Sequence, residues 1–193
     1  MPKPKYSMPA ILLSGGKSSR MGADKNLLDY GKGAQWQVMH SRLSRQFGQV
    51  WISCRQDQTR IFEGIENLII DPWDGIGPMA GIAGSMQRLR TASAFFVSCD
   101  LPFYDDALPE ALITANDEQF IACCAKAPGA GHPEPLIAVW NENALPHLLS
   151  AIETKEYSLQ KVLKANPHKT VEVAHRLIFN ANTNEEYLKA KKM

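Results

Sequence analysis

The sequence predicts a three-layer α/β protein with a largely parallel central sheet. Short apolar runs alternate with segments of helical period along most of the chain, and several of the runs are continuously apolar, as strands covered on both faces are. Glycine-rich or polar residues follow directly after several of these runs, where open parallel sheets place their ligands. The chain of 193 residues is long enough for one substantial core, so the expectation is one domain over 1–193, with residues 1–7 as a flexible tail.

The strand candidates, in order, are AILLS (10–14), VWISC (50–54), NLIID (67–71), AFFVSC (94–99), FIACCA (120–125), PLIAVW (135–140) and TVEV (170–173), with a short LIF run ahead of Asn180. Helical candidates lie near 34–47, 78–90, 105–116, 142–152 and 157–165, and a last one begins at about 184. In the first of these, Trp36, Met39, Leu43 and Phe47 recur at spacings of three and four and mark one buried stripe. Strands alternating with helices imply right-handed crossovers and helices on both faces of the sheet. No repeat, low-complexity tract or linker interrupts the series.

Composition narrows the function classes. A net charge of +1 with 45% hydrophobic residues suits a soluble globular chain and argues against general nucleic-acid affinity, which needs a basic surface to displace counterions. The opening MPKPKYSMPA lacks the apolar segment of a signal peptide, and no later stretch could span a bilayer, so the expectation is a cytoplasmic protein without a membrane partner. Cys54, Cys99, Cys123 and Cys124 show neither C-x-x-C pairing nor a histidine at metal-ligand spacing; they read as reduced core thiols rather than a zinc site.

The most informative stretch is LLSGGKSSRMGADK, residues 12–25. Gly16, Lys17 and Ser18 reproduce the end of a phosphate-binding P-loop, but Ile11 stands where its first glycine belongs; Lys17 likewise occupies the second glycine of a dinucleotide fingerprint. A different anion-holding loop is implied. Gly15 and Gly16 allow close approach of the backbone to a ligand, while Lys17, Arg20 and Lys25, with only Asp24 as counter-charge, form a local anion trap. Arg20 offers a planar fork to phosphate oxygens and Lys25 a mobile point charge. A tight turn and solvated surface charge are the plainer readings of Gly15-Gly16 and Lys17.

Asp100 follows AFFVSC directly and is trailed by Pro102, so a carboxylate stands at the mouth of a buried strand, suited to a hard divalent cation or to an ordinary turn. Asp71 occupies the same place after the third strand, ahead of Pro72 and the glycine-rich DGIGPMAG. Gly75, Gly77, Gly81 and Gly84 could shape a pocket floor or start a tightly packed helix. Asn180 and Asn182 share one side of an extended segment, and Thr183 or Asn184 can cap the last helix. His132 reads as a loop residue, with no Ser-His-Asp arrangement around it. A phosphate monoester nucleophile is already anionic at neutral pH and asks for no general base; a cationic loop and a metal-binding carboxylate would suffice for its transfer chemistry.

Taken in order, Leu13-Ser14-Gly15-Gly16, Ser19-Arg20-Met21-Gly22, Asp24-Lys25, GPMAGI (77–82), Cys99-Asp100-Leu101-Pro102 and Asn180-Ala181-Asn182-Thr183 resemble the MobA family of molybdenum cofactor guanylyltransferases. The resemblance covers most of the chain. It implies a Rossmann-like, glycosyltransferase-A type nucleotidyltransferase fold, Mg2+ as cofactor, and transfer of GMP from GTP to the phosphate of molybdenum-molybdopterin with release of pyrophosphate. It further implies that the backbone around Leu13, Ser14, Gly15 and Gly16 holds the nucleotide, that Asp71 contacts it, and that Arg20 and Lys25 meet its phosphates. Asp100 would bind the magnesium, completing a catalytic set with Arg20 and Lys25. Asn180 and Asn182 would line the pterin side or assist the metal. Transient contacts with molybdenum-insertion and molybdoenzyme-maturation proteins belong to the same expectation. Ser14 stands where family members commonly carry Ala, and Glu134 falls at a variable place; neither breaks the pattern. A cytidylyltransferase of the same cofactor and a sugar-phosphate or alcohol-phosphate nucleotidyltransferase are the alternatives within the superfamily. A noncatalytic nucleotide-binding module is the alternative outside it, against which Arg20, Lys25 and Asp100 together argue.

Overall fold

The computed structural model describes residues 4–16, 28–29, 33–180, 185–186 and 188. Among these, seven strands form one sheet: β1 (Ala10–Leu13), β2 (Val50–Cys54), β3 (Leu68–Ile70), β4 (Ser93–Ser98), β5 (Ala122–Lys126), β6 (Glu134–Asn141) and β7 (Lys169–Glu172), in the order β3-β2-β1-β4-β6-β5-β7. Pairings are parallel except where β6 meets β4 and β5, so the sheet is largely parallel with one reversed strand.

Side-chain alternation along the strands divides the core in two. Ala10 and Leu12 of β1, Phe95 and Val97 of β4, and Ile137 and Val139 of β6 face one side, where they pack on α1 (Gln35–Ser44) and α3 (Ala107–Ala115) through Trp36, Met39, Leu43, Leu108 and Leu112. Ile11, Leu13, Phe96, Ala138 and Trp140 face the other, against α2 (Pro78–Leu89), α4 (Leu145–Glu153) and α5 (Leu159–Ala165). The stripe read from the sequence, Trp36, Met39, Leu43 and Phe47, is buried along its length. Fully burying a side chain such as Phe95 or Phe96 contributes roughly 1.5–3 kcal/mol relative to exposure. The three layers therefore follow from the apolar pattern.

Local signals set the helix ends. Pro78, whose missing N–H costs nothing in a first turn, opens α2, and Arg90 closes it in a left-handed conformation (φ 48°) with its N–H on the Met86 carbonyl at 3.0 Å. Ser158 caps α5 by accepting from the Lys161 amide at 3.3 Å.

Three expectations are corrected. The LIF run is not a strand: His175–Ile178 forms a 3₁₀ turn, with the Leu177 N–H on the Ala174 carbonyl and Ile178 buried in the core. The segment 142–152 opens with a separate 3₁₀ turn, Glu142–Ala144, before α4 begins ahead of Pro146. FIACCA enters the sheet only at Ala122, because the Phe120 N–H closes a turn on Asp117. A 3₁₀ segment at Gln56–Phe62, burying Phe62, has no counterpart among the predicted elements. Of the last predicted helix, Glu185, Glu186 and Leu188 are helical; its proposed caps, Thr183 and Asn184, lie outside the described residues.

The chain leaves β1 toward β2 on one side of the sheet, while β4 lies on the other, so the strand order reverses at β1. The carboxyl ends of β1 and β4 lie at this switch point, where sheets of this kind form their ligand-binding crevice.

Candidate nucleotide site

Four strand ends meet at this crevice. Ser14, Gly15 and Gly16 follow β1, Asp71 follows β3, and Asp100 follows β4, as the sequence predicts; Leu13 ends β1 itself. Three consecutive residues at the end of β2 join the first two of these loops. The Ser14 N–H donates to the Ser53 carbonyl and the Asp71 N–H to the Cys54 carbonyl, both at 2.8 Å. The Ser53 hydroxyl donates to Asp71 Oδ1 at 2.6 Å, and Arg55 Nη1 donates to the Gly15 carbonyl at 2.6 Å.

Gly15 lies in close approach to Asp71: a Cβ at this position would collide with Asp71 Oδ2, so the carboxylate would have to shift. Gly81 has the same role one layer down, where a Cβ would lie 2.5 Å from Ser53 Oγ and 3.0 Å from Leu13 Cδ2. The glycines of DGIGPMAG therefore do not all shape one pocket floor; Gly81 lets α2 press against β1 and β2 beneath Asp71. Burial raises the Asp71 carboxyl above its ordinary value, opposed by the Ser53 hydrogen bond and the Arg55 charge. Burial also pushes the neighbouring Cys54 thiol up to about 12, which keeps it protonated and inert. All four cysteines are buried and free, as read from the sequence. Ser14 is buried too, so its hydroxyl is not presented at the open face of the loop.

On the other side of β1, Asp100 is 6% exposed and accepts from the Ser98 hydroxyl at 2.5 Å. Because β6 runs antiparallel, its first residue, Glu134, arrives at the same edge of the sheet as the carboxyl end of β4, near enough for the Asp100 charge to act on it. Burial raises the Glu134 carboxyl, and the Asp100 charge raises it further. Among the described residues, no group of three or more His, Cys, Asp or Glu side chains gathers as a metal cluster. Phe179 meets Phe103 at 6.0 Å between ring centroids, which brings the segment carrying Asn180 against the segment that follows Asp100. His132 is an exposed loop residue, as expected. Lys17, Arg20, Lys25 and Asn182 lie outside the described residues.

Sequence reasoning missed Ser53, Arg55 and Glu134. The rule of looking past each strand end, applied to β2, points to Arg55. Glu134 could not be found that way, since an all-parallel sheet would put the start of a strand at the opposite edge.

A glycine loop backed by a half-buried carboxylate, at the switch point of a three-layer and mostly parallel sheet, defines a nucleotide-binding protein of the open α/β class. A family model described as the MobA-like NTP transferase domain matches residues 10–171, and the chain belongs to that family of nucleotidyltransferases. It is 32% identical over 157 residues to the molybdenum cofactor guanylyltransferase of Pseudomonas entomophila, an alignment covering 79% of this chain and 80% of the relative. It is 29% identical over 182 residues to the molybdenum cofactor biosynthesis bifunctional protein of Synechocystis, covering 92% of this chain but 52% of that protein, so the chain spans about half of that relative's length. The crystal structure of molybdopterin-guanine dinucleotide biosynthesis protein A from Archaeoglobus fulgidus shares the fold, with a TM-score of 0.82 at 21% identity over 96% of this chain and 97% of that one. The predicted Rossmann-like nucleotidyltransferase fold is thus the observed one. No helix among the described residues is long and apolar enough to cross a membrane.

Proposed function

We propose that this chain transfers GMP from GTP to the phosphate of molybdenum-molybdopterin and releases pyrophosphate. The observation that carries the reading is the packing of Gly15 against Asp71 at the switch point of a MobA-like chain; the names of the relatives supply the substrates. The backbone of Leu13, Ser14, Gly15 and Gly16 and the carboxylate of Asp71 hold the nucleotide. Arg20 and Lys25 balance its phosphate charge. Asn180 and Asn182 serve the acceptor side or the metal. The acceptor phosphate attacks the α-phosphorus in line; the bond from that phosphorus to the bridging oxygen breaks, and pyrophosphate leaves with the electron pair. The attacking oxygen is already anionic, so the chain's task is alignment and charge balance rather than proton removal.

Mg2+ is the proposed cofactor. The donor set fits a hard divalent cation, since the carboxylates at this edge, Asp100 and Glu134, offer oxygen alone and repel one another by like charge. Asp100 would hold the ion, which when bound would screen the phosphate oxygens. A single domain over 1–193, a cytoplasmic setting, and transient partners in molybdenum insertion and molybdoenzyme maturation complete the proposal, with neither nucleic acid nor membrane as a partner.

The test is pyrophosphate release in the presence of molybdenum-molybdopterin, with GTP, CTP, ATP and UTP compared. Acceptor-dependent release from GTP well above that from the other nucleotides supports the reading. Preferential turnover of CTP would move the chain to cytidylyl transfer, and release that ignores the acceptor would remove the pterin substrate.

A further inference from the structure

Resting on the nucleotide-binding reading above, we propose that Arg55 is the positioning residue of the glycine loop, fixing the Gly15–Gly16 peptide so that the Gly16 N–H is presented to the nucleotide. Arg55 Nη1 holds the Gly15 carbonyl oxygen at 2.6 Å, and the chain contains no cis peptide bond among its described residues. In a planar trans peptide the C=O and the following N–H point in opposite directions. Anchoring the oxygen on Arg55 therefore turns the Gly16 N–H away from β2. Gly16 is exposed, and a Cβ placed on it would meet no atom of the described residues within 4 Å. Backbone N–H groups displayed in this way at a glycine loop are the ordinary means of holding nucleotide phosphates.

Arg55 is itself held for this task. Its Nε and Nη2 donate to the two carboxylate oxygens of Asp57, at 2.9 and 3.1 Å, and its backbone N–H donates to Gln58 Oε1 at 3.2 Å. The side chain is only 16% exposed. A guanidinium can serve the Asp57 fork with one edge and the Gly15 carbonyl with another, which an ammonium on a flexible stem cannot do with the same fixed geometry. The Asp71 carboxylate also sits against Gly15, closely enough to meet a Cβ there. The loop is therefore held by Arg55 and Asp71 together, both tied to the end of β2.

This role differs from that of a cation acting on the nucleotide by charge, and Asp57 separates the two. Asp57→Asn keeps the Arg55 charge and removes a negative charge near an anionic ligand. Charge attraction alone predicts tighter binding for that variant; positioning predicts weaker binding, because the guanidinium loses its brace.

The experiment is calorimetric titration of the full chain with GTP and Mg2+, together with the amide NMR resonance of Gly16 in nucleotide-free protein. Expected are binding about tenfold weaker in Arg55→Met, partial recovery in Arg55→Lys, and about threefold weaker binding in Asp57→Asn, as losing a charge-assisted hydrogen bond or only its brace implies. The Gly16 resonance should move in all three before any nucleotide is added. An unmoved Gly16 resonance with wild-type affinity, or tighter GTP binding by Asp57→Asn, overturns the positioning role while leaving the nucleotide reading intact. Should Arg55→Met fail to fold, Arg55→Lys and Asp57→Asn decide the matter. Wild-type protein that binds no nucleotide, with a Gly16 resonance that still follows Arg55, overturns the presentation to nucleotide through the functional reading instead.

Discussion

The two sides of β1 are built on opposite principles. Toward β2 and β3 the site is cross-linked by its own hydrogen bonds: Ser53, Cys54 and Arg55 together tie the glycine loop to Asp71. Toward β4 and β6 it brings two carboxylates, Asp100 and Glu134, to one edge at the meeting of a parallel and a reversed strand, where the charge of one acts on the other. The first side is held in place without a ligand, by hydrogen bonds within the protein. The second carries a like-charge opposition that a cation would relieve. One half of the crevice is thus preassembled for shape and the other is poised for charge.

Substitutions that break this contrast should differ in kind as well as in size. The largest effect is expected from Asp100→Ala, which removes the carboxylate of the charged half. GMP transfer should fall by about a thousandfold or more, on the scale of lost transition-state electrostatics, with the thermal transition of the protein retained. Transfer at a wild-type rate in a magnesium-dependent assay would remove Asp100 from the metal role. Gly15→Ala strikes the preassembled half by forcing a methyl into Asp71, and GTP binding measured by calorimetry should weaken by about tenfold or more. Unchanged affinity would show that the loop tolerates displacement and is not gripped.

Gly81→Ala tests the support beneath that grip. The added methyl meets Ser53 Oγ and Leu13 Cδ2, so unfolding by denaturant should show a loss of about 1–3 kcal/mol, the usual cost of overpacking. Glu134→Gln has the opposite sign. Removing one of two like charges that act on each other should stabilise the metal-free protein by about a few tenths of a kcal/mol, and a loss of stability would show that the two carboxylates do not oppose one another.

Asp71 provides a pH signature confined to the first half. Burial raises its native value, so the folded chain takes up this proton more readily than the unfolded one. Native stability should therefore rise as pH falls from that raised value toward the ordinary carboxylate value, and Asp71→Asn should flatten this component of the slope. Denaturation over a pH series in both proteins measures it; parallel slopes would show that Asp71 does not titrate as a buried group.

Much of this architecture was legible because it rests on local patterns. The apolar runs gave every strand to within a residue or two, and the rule that ligands gather past parallel strand ends placed Gly15, Asp71 and Asp100 at one edge. LIF misled because three apolar residues at the end of a chain segment satisfy a 3₁₀ turn as well as a strand. Glu134 was invisible as a site residue because strand direction is a property of the assembled sheet and leaves no mark on period-two alternation. Arg55 was hidden for a different reason: its partner lies 40 residues away, and its meaning emerges only when the Gly15 carbonyl is seen on its guanidinium.

The most direct test of the central claim is calorimetric titration of GTP and CTP, each with and without magnesium, into wild-type protein and Asp100→Ala. Selective GTP binding is expected, strengthened by magnesium in the wild type and left nearly unchanged by it in Asp100→Ala, with the glycine-loop half still holding the nucleotide in that variant. Equal or tighter binding of CTP, or an undiminished magnesium effect in Asp100→Ala, would contradict that claim.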